Sequence, residues 1–151
     1  MNAEKQYIDF YSEVQATLHA RSCDTMNRQR KDALQTFASQ GFPSPKAERY
    51  RYARVEADFS PNYGIQLSPL ASELPPYCLR LQDAPAHVRD IYNNVADRSD
   101  PVVALNTLLA VDTLVIHVPR GTRPDHPIQV TNILKGEHDS MVSRRCLIIM
   151  D

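Results

Sequence analysis

The spacing of apolar residues changes around Asp112, and that change does most to limit what this chain can fold into. Upstream, Asp100-Pro101 places a capping carboxylate before a proline at the first helical position, where the missing N–H costs nothing. Ala104, Leu105, Leu108 and Leu109 then recur at helical spacing. Downstream the apolar residues form β-rich runs: Thr113 to Val118, closed by Pro119-Arg120-Gly121, then Pro127 to Leu134, then Val142 to Met150. A helix followed by three such runs predicts an α+β chain. The last run stops at Asp151 with no turn or polar tail after Cys146-Leu147-Ile148-Ile149. Natural proteins usually cover such an edge, so the sequence reads as a fragment of a longer protein.

Near the N-terminus, Tyr7, Phe10, Tyr11, Val14 and Leu18 mark one stripe of an amphipathic helix. Asp24 is the expected cap of a second helix, with Met26, Ala33, Leu34 and Phe37 on one face and Gly41 as its stop. So short a connection predicts a helical hairpin. From Phe59 to Pro85, five prolines (Pro61, Pro69, Pro75, Pro76 and Pro85) interrupt any long element and predict a linker or covering segment.

The chemistry-bearing residues are scattered. The chain has 4 glycines, in neither a GxGxxG nor a GxxxxGK[ST] arrangement. His19, His87, His117, His126 and His138 lack the three- or four-residue spacing that puts two metal ligands on one helical face. Asp125-His126 is read as a solvated loop, because adjacent turn residues point apart. Cys23, Cys78 and Cys146 are too few and too distant for a disulfide framework or a CxxC metal site. Cys146 is expected to be a small buried hydrophobe. Lys46 to Arg54 interleaves cations with Tyr50 and Tyr52, a pattern that can grip phosphates and stack bases. Glu48, Glu56, Asp58 and a net charge of -1 weigh against nucleic-acid binding. No apolar run approaches the ~20 residues of a membrane span, and no signal-peptide core opens the chain. A non-enzymatic, cytoplasmic protein is expected, with no catalytic, cofactor-binding or metal residue assigned.

Asp100-Pro101, Ala104-Leu105-Asn106, Leu109, Asp112, Val118 to Gly121, Pro127-Ile128 and Arg144-Arg145 with Leu147 to Ile149 resemble the start of the β-helix in the SUF iron-sulfur assembly scaffold proteins, the SufB/SufD family. Gly41-Phe42-Pro43, followed by Lys46, Glu48, Tyr50, Arg51 and Tyr52, is similar to the end of the helical domain in the SufD branch. The resemblance implies a non-catalytic scaffold whose β-helix pairs with a SufB-like subunit. It also implies a SufC-like ATPase docked on C-terminal regions, an iron-sulfur cluster handled by the whole complex, and a homodimer as a further association. Against this family the stretch from Leu79 to Tyr92 looks shortened.

The expected organisation is therefore a helical domain over residues 1–60, a Pro-rich segment over 61–99, and the first coils of a right-handed parallel β-helix over 100–151. A different architecture needs no family: a helical hairpin and a three-strand antiparallel meander forming a small α+β interaction module. A single-stranded nucleic-acid binder built on Tyr50, Arg51 and Tyr52 is the third reading.

Overall fold

The computed structural model describes residues 3–151. Helices α1 (Ala3–Arg21) and α2 (Asp24–Gln40) form the predicted hairpin. The N-cap of α2 falls on Cys23 rather than Asp24, and no side chain caps it. Gly41 ends α2 with φ of 65°, a left-handed conformation that suits glycine. Its N–H donates to Phe37 O at 2.9 Å. A Cβ there would meet Glu4 Oε1 at 2.7 Å, so a side chain would have to displace the Glu4 carboxylate.

The apolar stripes predicted for both helices face inward, with Tyr7, Tyr11, Leu18, Met26, Ala33 and Phe37 buried. Phe42 meets Phe37 and Tyr7 edge to face, with centroids 5.2 and 5.7 Å apart. Such aromatic pairs add to the stability from burial alone. Helix α3 (Val55–Phe59) tucks Phe59 beside this group, where Tyr7 Oη donates to the Phe59 carbonyl at 2.8 Å.

Strands β1 (Gly64–Gln66) and β2 (Cys78–Arg80) and helix α4 (Ala86–Asp90) come from the Pro-rich segment. That segment also buries Leu81, Ala84, Val88 and Tyr92, so it contributes core as well as cover. Helix α5 (Pro101–Leu109) starts as predicted: the Asp100 carboxylate accepts from the Val102 and Val103 N–H groups. It lies against α2 and also touches α1.

Strands β3 (Thr113–Val118), β4 (Ser140–Val142) and β5 (Arg145–Met150) complete two small sheets. One pairs β1 with β4 in parallel. In the other, β3 is central, antiparallel to β2 and parallel to β5, with Thr113 opposite Arg145 and Val118 opposite Met150.

Three expectations need correcting. Pro127 to Leu134 forms no strand: it joins neither sheet and is left largely exposed without a ladder partner. The run from Val142 to Met150 divides at Ser143-Arg144, and its halves join different sheets. The antiparallel meander is replaced by the parallel β3–β5 pair. The architecture is α+β.

Candidate functional site: a hollow on the three-stranded sheet

Residues alternate across a strand, so the observed register assigns the two faces of the sheet. Leu79, Val115, Leu147 and Ile149 share one face and pack with Met26, Val88 and Tyr92 of the helical layer. Cys78, Arg80, Leu114, Ile116, Cys146, Ile148 and Met150 share the other. Cys146 is exposed there, contrary to expectation, because a strand one residue out of step with its inward neighbours turns to the open face. Ile148 and Met150 are 65% and 79% exposed along the same line.

Part of this open face is roofed. Arg80 donates to the Leu70 and Ala71 carbonyls while pairing with Asp112. Arg144 donates to the Ser68 and Pro69 carbonyls, each at 2.9 Å, and to Ser68 Oγ at 2.8 Å. Two guanidinium groups thus hold the start of the Pro-rich covering segment above the sheet. Beneath it lies a hollow of about 530 Å³ whose wall includes Leu74, Cys78, Leu114, Val130, Ile133 and Cys146. Partial desolvation pushes both thiols above their ordinary pKa, and for Cys146, which keeps contact with solvent, the neighbouring Cys78 adds to the rise. They are therefore held as neutral thiols at neutral pH.

On the helical side, Arg145 donates to Tyr92 Oη at 3.0 Å and Thr107 Oγ1 at 2.9 Å, and its guanidinium carbon sits 5.3 Å from the Tyr92 ring centre. Asn93 is buried with left-handed φ of 64°, and its Oδ1 has no hydrogen-bond partner among the described residues.

The basic and aromatic run is divided in two by the fold. Arg49 Nη1 pairs with Asp100 at 2.7 Å and Asp97 at 3.2 Å. Tyr50 Oη donates to the Asp100 carboxylate at 2.7 Å. Burial, then the bond to Asp100, pushes the Tyr50 pKa up to about 12. Burial alone would raise the Asp100 pKa, but the bonds from Tyr50, Arg49 and the α5 N-terminus hold it below the usual carboxylate range. Tyr52, by contrast, is 94% exposed, with the Arg51 guanidinium 5.8 Å from its ring centre.

Asp125 and His126 lie exposed in their loop as read. The histidines do not gather, apart from His87 and His117, whose ring centres are 6.1 Å apart; His117 Nε2 lies 2.9 Å from Asp151 Oδ2. Among the described residues, no three His, Cys, Asp or Glu side chains form a group able to hold a metal ion. No helix among them is long and apolar enough to cross a membrane.

Sequence reasoning missed Arg30, which is fully buried. It donates to the Thr107, Leu108 and Ala110 carbonyls, to Ser22 Oγ and to Asn27 Oδ1. Its signal was present: Arg30 is four residues after Met26 and three before Ala33, a lone cation on an apolar stripe.

A helical layer backing a sheet with one parallel strand pair defines an α+β protein of the kind outlined above. The family model described as SufBD protein N-terminal region matches residues 1–80 and 79–130, and the chain belongs to that family. The two matched pieces meet at Leu79-Arg80, at the start of the stretch that looked shortened. No curated protein and no solved structure matches the chain.

Proposed function

We propose that the chain is part of a non-catalytic scaffold subunit of the SUF iron-sulfur cluster assembly complex, on the SufD branch of the family. The observation that carries this reading is the family match across residues 1–80 and 79–130. The Gly41-Phe42-Pro43 pattern and the basic and aromatic residues after it favour the SufD branch. The one-to-one parallel pairing of β3 with β5 supports a β-helix, since equivalent strands of successive coils stack in that manner. The partners are a SufB-like subunit, met through the β-helix, and a SufC-like ATPase, met through regions other than these. The cluster is cargo of the whole complex, and no residue of this chain is assigned to it.

Nucleic-acid binding is disfavoured because Arg49 and Tyr50 are committed to Asp97 and Asp100 within the fold. The proposal is tested by capturing the endogenous protein through an N-terminal tag and identifying its companions by mass spectrometry. Co-purification of a sibling scaffold and an ATPase is the expected result. Recovery of the bait with neither would overturn the scaffold assignment.

A further inference from the structure

The stretch from Leu67 to Tyr77, which covers part of the open sheet face, contains neither helix nor strand, and none of its residues is buried. No N–H between Ser68 and Leu74 donates to a backbone carbonyl among the described residues. Four successive carbonyls hold it instead: those of Ser68 and Pro69 accept from Arg144, and those of Leu70 and Ala71 accept from Arg80. The space of about 530 Å³ beneath is unpacked, so lifting this stretch breaks few apolar contacts, and local opening is easiest where such contacts are few. Its far end is fixed by the turn Pro75-Pro76-Tyr77-Cys78, where the Cys78 N–H donates to Pro75 O at 3.0 Å and the His117 N–H to Tyr77 O at 2.9 Å. Tyr77 has φ of 65° there, a region that bulky residues seldom enter and that this turn holds in place.

The clamp carries its own opposing cost. Arg144 gives its Nη groups to Ser68 and Pro69 while its Nε–H is buried with no acceptor among the described residues, and an unmet charged donor offsets part of what those bonds contribute. Arg80 also pairs with Asp112 and so keeps a partner when the carbonyls leave. We propose that residues 68–74 form a strap that lifts off the β2–β3–β5 face, pivoting on the Tyr77 turn, and that release of Ser68 and Pro69 from Arg144 opens it. Opening lets water reach the Arg144 Nε and widens access to Cys78 and Leu114. The strap depends only on this chain's own bonds and stands apart from the scaffold assignment.

The test is the distance between two nitroxide labels, measured by pulsed electron resonance on the full chain with its 3 cysteines replaced by alanine. One label replaces Ser72 on the strap and the other Gln35 on α2, both exposed. Because α2 lies behind the sheet, lifting the strap lengthens this distance. A control pair joins Gln35 to Ile148 on β5. The unaltered strap should give a main distance and a longer, minor one. Arg144→Gln should raise the longer population about threefold or more, as loss of charged hydrogen bonds implies. Ser68→Ala, which removes one acceptor, should raise it less, and the control pair should stay unchanged in both. A Ser72–Gln35 distribution that neither substitution alters would overturn the strap. An equal change in the control pair would also overturn it, by showing a general loosening. If Arg144→Gln fails to fold, the unaltered chain and Ser68→Ala decide the matter.

Discussion

The helical layer and the open sheet face differ in how completely each is covered. In the helical layer a fully buried cation is answered without an acid: Arg30 fans out over the last carbonyls of α5, where the helix dipole is negative. Burial lowers its pKa, yet guanidinium starts so high that it stays charged at any ordinary pH. At the other end of α5, a buried carboxylate answers two N–H groups, a tyrosine and an arginine. On the sheet face Arg80 and Arg144 likewise answer carbonyls of the covering segment, but Ile148 and Met150 stand in solvent. The helical layer covers its apolar side chains with its own residues, whereas the outer strand of the sheet leaves part of its apolar side in water.

The contrast can be broken most forcefully at Arg30. Arg30→Met should cost about 3–5 kcal/mol, because several buried acceptors lose their donor at once. Arg30→Lys should recover only part of this, since an ammonium cannot fork across three carbonyls. Thermal or urea unfolding measures both, and a near-neutral Arg30→Met would show that the layer does not depend on the clamp.

A smaller effect is expected at Asp100. Its folded pKa lies below the unfolded value, so folding favours the ionised form. The stabilisation is therefore complete above about pH 4 and fades as pH falls through the folded value. Asp100→Asn should be destabilised by about 1–2 kcal/mol at neutral pH, with the gap from the unaltered protein narrowing in acid. A gap that stays constant down to the lowest pH would remove the electrostatic account. Tyr50→Phe, losing one bond to a charged acceptor, should cost about 1 kcal/mol by the same unfolding measurement.

On the sheet face, Ile148→Lys should change stability by no more than about 0.5 kcal/mol. It should suppress concentration-dependent association through β5, which sedimentation can follow. Unchanged association would mean that this edge is not what meets other chains. Tyr52→Ala should likewise stay within about 0.5 kcal/mol, because the ring is almost wholly exposed.

The legible parts were those governed by neighbours in sequence. The stripes of α1 and α2, the left-handed stop at Gly41 and the Asp100-Pro101 start of α5 all follow from local spacing and capping. Strand β3 was legible for the same reason, as a run of β-branched and apolar residues. Pro127 to Leu134 carries a similar signal and forms no strand, because strand propensity does not by itself supply a ladder partner. Cys146 was misplaced because a run apolar on both faces does not say which side is covered. The hollow left no trace in any single segment, since its wall draws on the covering segment, three strands and the 129–133 loop.

Sequence alone determined the helical hairpin, the capped α5, the switch to β structure after Asp112 and the family to which these residues point. Those features rest on hydrogen bonds and apolar spacing within a few turns or a single strand. Tertiary structure decided that β3 pairs in parallel with β5, that Arg30 clamps a helix nearly eighty residues away, and that Tyr50 is held by Asp100 while Tyr52 is exposed. Each depends on which distant groups become neighbours, and a buried charge or an open edge acquires its meaning from those neighbours.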